Sequence, residues 1–164
     1  FGINPNDVTT ISLVFGIASI CFLADGKIIP GVIAYIISYL FDCVDGHHAR
    51  KYNMTSHFGD RYDHLKDNIL FTGIVLVIFH RNYKKIPIHA WALVIIVMAI
   101  SARLMLVHLG CQEKASTYKN NSESLGHLTR LCPGDALEGL ESSKYFGCGG
   151  SIMILILIVV ILEQ

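Results

Sequence analysis

The sequence predicts an all-α protein that crosses a membrane several times, and three observations lead there. Hydrophobic residues make up 52% of the 164. The mean hydropathy of +0.50 is high for a soluble domain of this size. The apolar residues are also bunched into runs rather than alternating, as in membrane helices. Net charge is zero, so no basic field points to nucleic acid as a partner. The length suits a single domain over 1–164. A chain that starts at Phe1 and stops beside an apolar run at Gln164 is expected to be truncated at both ends.

The first apolar run, Val8–Ala24, follows Asn4-Pro5-Asn6-Asp7, which predicts a helix start with Asp7 near its N-cap. No cationic segment precedes it and no small-residue cleavage site follows, so it reads as a span and not a signal peptide. Four more runs follow: Ile28–Phe41, Asn68–Phe79, Ala90–Leu109 and Ser151–Leu162. Crossing a bilayer takes ~20 helical residues. Only the first and fourth runs approach that length unaided.

Between the second and third runs lies Asp42–Asp67, with five acidic residues and eight that are basic or histidine. Two readings are open. It is either a charged surface loop between short buried helices, or it extends both helices to spanning length. The second reading carries Asp42, Asp45, Asp63 and Asp67 to membrane depth. Carboxylates there are costly unless they face a polar cavity or bind cations.

The stretch 110–147 is polar and rich in Gly, Ser and Asn, and predicts a connecting loop with a short helix, long for a compact domain. Five cysteines without a C-x-x-C pair indicate neither a disulfide framework nor a zinc site. Of these, Cys111, Cys132 and Cys148 either pair or stay reduced. Arg50, Lys51, Arg61 and Lys66 in one connection face Arg81, Lys84 and Lys85 in the next, so basic residues barely fix the orientation. Arg103, inside the fourth run, is expected to face a polar cavity rather than to snorkel. Asn53-Met-Thr and Asn120-Asn-Ser have the form of glycosylation sequons.

On a helix, residues three or four apart share a face. Asp42, Asp45 and Ala49 then line one stripe with Gly46 beside them, and Gly59, Asp63 and Asp67 line another. Facing carboxylates repel unless they take up protons or share divalent cations. Their hard oxygens favour Mg²⁺, Mn²⁺ or Ca²⁺ over zinc. Gly46, Ala49 and Gly59 allow close approach of a helix or ligand. A guanidinium such as that of Arg50, next to a metal cluster, suits a diphosphate. The set suggests phosphoryl-type transfer with metals stabilising the leaving group, and an unsaturated carboxylate to deprotonate a hydroxyl.

In order, the pattern is D-x-x-D-G-x-x-A-R, eight residues, then G-x-x-x-D-x-x-x-D. It resembles the signature of the CDP-alcohol phosphotransferase family at every fixed position: Asp42, Asp45, Gly46, Ala49, Arg50, Gly59, Asp63 and Asp67. Eight specified positions arise by chance on the order of once in ten billion start sites, so the signal is specific over Asp42–Asp67. The resemblance implies an integral membrane enzyme of phospholipid synthesis, in the endoplasmic reticulum of a eukaryote or otherwise the cytoplasmic membrane. It would move a substituted phosphate from a CDP-alcohol (CDP-diacylglycerol or a CDP-amino alcohol) to an acceptor alcohol and release CMP. It further implies metal binding by Asp42, Asp45, Asp63 and Asp67, with two Mg²⁺ or Mn²⁺ ions, and Asp67 as general base. Gly46, Arg50, Ser56 and Gly59 would line the CDP site, the Pro5-Asn6-Asp7 segment would close the nucleotide pocket, and the enzyme would be a homodimer.

His64 directly follows Asp63, which resembles the choline- and ethanolamine-phosphotransferase branch and makes His64 a competing base. Asp45-Gly-His-His-Ala-Arg instead resembles the phosphatidylinositol synthases. The acceptor therefore stays open. His47, His48 and His57 read as ordinary membrane-surface histidines. Family members carry six spans, whereas five are counted here. The competing reading is a non-enzymatic membrane protein that binds or transports divalent cations. It accounts for the carboxylates but not for Arg50, which would repel a permeating cation.

Overall fold

In the computed structural model, which describes residues 4–52, 54, 56–115, 126–143, 145 and 147–162, the apolar runs form helices. The elements are α1 (Pro5–Ala24), α2 (Ile28–Lys51), α3 (His57–Asn82), α4 (Ile88–Ala115), a 3-10 helix (Gly126–Leu131), α5 (Ala136–Ser143) and α6 (Cys148–Leu162). No strand occurs among the described residues. The fold is an all-α membrane helical bundle. By length and composition α1, the Ile28–Ala49 part of α2, and α4 can each cross a bilayer. α3 is long enough at 26 residues but carries the charges in its first half. α6 is apolar throughout but has 15 residues.

The charged stretch is therefore not a loop. Both flanking helices run through it, and only residues 52–56 separate them. Two compact units result, Phe1–Lys84 and Lys85–Leu162.

In the first unit, α1 packs against both α2 and α3. Asp7 lies near its N-cap as expected, in the first turn; the cap itself is Asn4, whose side chain accepts from the Asn6 amide at 3.2 Å, with Pro5 at the start of the helix. Proline fixes the first helical φ, which moves the cap to the residue before it. The α1–α2 seam is made by serines. Ser12 Oγ donates to the Ser38 carbonyl at 2.8 Å, Ser38 Oγ donates to the Ser12 carbonyl at 2.7 Å, and Ser19 Oγ donates to the Gly31 carbonyl at 2.8 Å. All three are buried. Each hydroxyl is satisfied by the neighbouring backbone, so the helices gain a close approach without an orphaned polar group.

The α1–α3 seam relies on glycine. A Cβ on Gly16 would collide with the Leu70 side chain, and one on Gly73 would lie 2.6 Å from Ile20 Cδ1. At the far end, Gly26 turns the chain with φ 78°, and Arg81 Nη1 donates to the Ala24 carbonyl at 3.2 Å. The guanidinium thus satisfies a carbonyl that the end of α1 leaves free.

The second unit is built around the last turns of α4. The 3-10 helix and α5 fold back onto it, and Cys111 is bonded to Cys132 across 21 residues. The cysteine count alone left this pairing open. Gly110 abuts the Leu128 backbone, and a Cβ on Gly139 would lie 2.5 Å from Cys111 Sγ. Lys114 Nζ donates to the Gly134 carbonyl at 2.7 Å. Further along α4, Ser101 Oγ donates to Ser151 Oγ of α6 at 3.3 Å. Of the polar stretch after α4, residues 126–143 thus fold as a cap on that helix and include the short helix expected of the stretch, while residues 116–125 lie outside the described set.

Candidate active site

The acidic residues reach the site on helices because the apolar runs continue into them. On α2, Asp42 and Asp45 are one turn apart, and Gly46 and Ala49 follow on the same side. α3 is capped by Ser56, whose Oγ accepts from the Gly59 amide at 3.0 Å, and this cap sets the phase for Asp63 and Asp67. The two stripes expected from spacing come together. Asp42, Asp45 and Asp63 offer ligand atoms within 4.8 Å of one another, and Asp63, His64 and Asp67 form a second such group. Asp63 belongs to both.

A lysine lies among them. Lys66 Nζ donates to Asp42 Oδ1 and, at 2.8 Å, to Asp63 Oδ1, and it lies 3.3 Å from Asp67 Oδ1. Its side chain is only 1% exposed. A buried ammonium is tolerable because three carboxylates surround it.

The four carboxylates differ in access. The side chains of Asp42, Asp63 and Asp67 are 25%, 34% and 54% exposed. Asp45 is buried, and its Oδ2 has no hydrogen-bond partner among the described residues. Such an oxygen is what a bound cation would satisfy. His64 Nε2 lies 3.5 Å from Asp60 Oδ1 and has no hydrogen-bond partner among the described residues. The donors are mainly carboxylate oxygens with one imidazole, a set that fits a hard divalent cation.

The first turn of α1 adjoins the start of α3. A Cβ on Gly59 would lie 3.0 Å from Asn6 Oδ1 and 3.1 Å from Ser56 Oγ, so only glycine fits there without displacement. Thr10 Oγ1 lies 3.2 Å from the Tyr62 hydroxyl. Gly46 is partly buried beside Asp45, and Arg50 occupies the last turn of α2, its side chain outside the described residues. His47 is exposed, the His48 ring lies 4.7 Å from that of Tyr52, and the His57 side chain is outside the described residues. Arg103 is exposed on α4 in the second unit. Both sequons include residues outside the described set.

Sequence reasoning missed Lys66, and it took Asn6 only as part of the Pro5-Asn6-Asp7 segment, not as a neighbour of Gly59. Lys66 stands three residues after Asp63 and one before Asp67, so its helical phase was a signal for it. The spacing gave no sign that Asn6 lies beside Gly59, since that proximity comes from the packing of α1 on α3.

The fold and the acidic cluster define a class: a polytopic helical membrane protein whose oxygen-rich site is built from two successive helices. The chain belongs to the CDP-alcohol phosphatidyltransferase family, whose sequence profile matches residues 3–162. It is similar to the CDP-diacylglycerol–inositol 3-phosphatidyltransferase of Drosophila melanogaster, with 31% identity over 81 residues. That match takes in 48% of this chain and 36% of the length of the fly protein. No solved structure matches the chain significantly.

Proposed function

We propose that this protein is a divalent-metal-dependent enzyme of phospholipid synthesis that transfers a substituted phosphate from a CDP-alcohol to an acceptor alcohol and releases CMP. The observation that carries this reading is the convergence of Asp42, Asp45, Asp63 and Asp67 from two helices, in a chain of the CDP-alcohol phosphatidyltransferase family. The donor we favour is CDP-diacylglycerol and the acceptor inositol. The similarity to the fly enzyme and the run Asp45-Gly-His-His-Ala-Arg both support that pair.

In this reading Asp42, Asp45, Asp63 and Asp67 hold Mg²⁺ or Mn²⁺. When bound, the metal supplies positive charge that stabilises the diphosphate and the departing CMP. Gly46, Arg50, Ser56 and Gly59 line the CDP site, with Pro5-Asn6-Asp7 closing it. Asp67 is the most open of the four carboxylates, which suits it to meet an incoming hydroxyl. The acceptor oxygen attacks the phosphorus that bears the donated alcohol. The bond from that phosphorus to the bridging oxygen breaks, CMP leaves with the bridging oxygen, and Asp67 takes the hydroxyl proton. His64, in one ligand group with Asp63 and Asp67, favours a second reading in which it serves as the base and the donor is a CDP-amino alcohol.

The test is CMP release from membranes containing the protein. CDP-diacylglycerol is offered with inositol, serine or glycerol phosphate, and CDP-choline or CDP-ethanolamine with diacylglycerol, each with Mn²⁺ or Mg²⁺ and again with chelator. Metal-dependent CMP with inositol alone is expected. CMP only from the amino-alcohol donors would establish the second reading. Silence with no nucleotide binding but retained metal binding would favour a cation-binding or transporting protein.

A further inference from the structure

Lys66 is not one of the residues that the family signature specifies, yet it touches three of the four signature carboxylates. Its ammonium donates to Asp42 on α2 and to Asp63 on α3, and lies 3.3 Å from Asp67 Oδ1. Oxygens from two helices thus converge on one point, and the cation at that point is part of the chain. Asp45 stands apart. It is buried, it is grouped with Asp42 and Asp63, and its Oδ2 has no hydrogen-bond partner among the described residues.

We infer that Lys66 takes the place of one of the two divalent ions that the family resemblance implies, so that this site loads a single divalent cation, on its Asp45 side. The inference rests on the proposed reading of the four aspartates as metal ligands. Its logic is spatial and electrostatic. An ammonium within hydrogen-bond reach of Asp42 Oδ1 and Asp63 Oδ1 occupies the space a metal on those oxygens would need. Like charges a few ångströms apart also repel, the more so beside an ammonium that is itself buried. A carboxylate has two oxygens and so can serve Lys66 through one and a metal through the other. Asp42 and Asp63 are able to do this, and Asp45 brings an oxygen that Lys66 does not use. Four carboxylates, one ammonium and one divalent ion leave a net charge of −1. A second divalent ion would make it +1 at a point already crowded with cations. Lys66 is a positioning residue here: it holds Asp42, Asp63 and Asp67 in place whether or not metal is present.

The test is a count of bound Mn²⁺ on the detergent-solubilised full chain, by equilibrium dialysis with electron paramagnetic resonance of the bound ion. One Mn²⁺ per chain is expected, with the spectrum of an isolated ion, and Asp45→Ala should lose it. Lys66→Met should bind two, with the broadened spectrum of a coupled pair, while Lys66→Arg should keep one. Two ions on the unaltered chain would overturn the inference and leave the proposed enzyme reading intact. No ion at all would overturn that reading as well. A single ion on Lys66→Met would show that Lys66 does not exclude the second. Retention of the ion by Asp45→Ala would overturn its assignment to the Asp45 side. Where Lys66→Met does not fold, the count on the unaltered chain decides alone.

Discussion

The two compact units join helices by opposite means. In Phe1–Lys84 long helices meet directly, through serines that donate to a neighbour's backbone and glycines that leave room for Leu70 and Ile20. In Lys85–Leu162 the last turns of α4 are covered by short pieces of chain, tied by a covalent bond and by side chains on backbone carbonyls. The first arrangement suits a region that must present charge from within long helices, because small residues bring backbones close and keep facing side chains in fixed register. The second suits a polar segment with too little apolar surface to hold itself together, where a cross-link limits the freedom of the unfolded chain. The proposed chemistry is concentrated in the first unit and covalent reinforcement in the second.

The sharpest way to test that division is to disable the chemistry without touching the packing. Asp67→Asn keeps the shape of the side chain and removes its basicity. Turnover is expected to fall by about 10²–10⁴-fold, as for loss of a general base. Nucleotide binding, followed by equilibrium dialysis of labelled CDP-alcohol, should remain. Wild-type CMP release from this variant would mean that another group takes the proton, with His64 the next to test.

Next in size is the cross-link. Replacing Cys111 and Cys132 together by serine opens a loop of 21 residues' separation and should destabilise the second unit by about 3 kcal/mol. Hydrogen exchange should rise in α5 and the 3-10 helix but not along α1 and α2. A fall in CMP release as deep as that of Asp67→Asn would break the comparison, because the units would then not be separable.

Packing in the first unit should respond by a smaller amount. Gly16→Val forces Leu70 aside, and overfilling of this kind costs about 1–3 kcal/mol. The companion change Leu70→Ala should recover part of the loss, read as thermal stability in detergent. No recovery would mean that Leu70 is not what restricts Gly16. The smallest effect belongs to the serine seam. Ser12→Ala with Ser38→Ala removes hydrogen bonds to two carbonyls that remain engaged within their own helices, and roughly 1 kcal/mol is expected. A much larger loss would make the seam, rather than the glycines, the main fastening of α1.

What could be read in advance follows the range of the forces involved. Helical spacing is local, so Asp42 with Asp45, and Gly59 with Asp63 and Asp67, were legible as two stripes, and the eight fixed positions of the motif marked them as one site. The shortness of Ile28–Phe41 and Asn68–Phe79 was legible too, as a sign that the helices extend into the charges. Two readings stayed open there, and the structure selects continuous helices ending at Lys51 and starting at His57. Lys66 was legible only in part: its spacing sets it beside Asp63 and Asp67, but its reach to Asp42 depends on how α1 holds both α2 and α3. The same holds for Cys111 with Cys132, since a connection between residues 21 apart depends on how the chain between them folds back. The helix start near Asp7 was legible because its signals are local, and the proline at the first helical position sets the cap itself at Asn4.

The closeness of Asn6 to Gly59 and of Thr10 to Tyr62 bears on how the protein is handled at the bench. The opening turn of α1 borders the second half of the motif, so an affinity tag or fusion partner joined directly ahead of Asn4 would stand beside the residues under assay. A low CMP release from such a preparation would report on the tag as much as on the proposed site. A tag kept off the opening turn of α1 leaves that border between α1 and α3 as the structure has it.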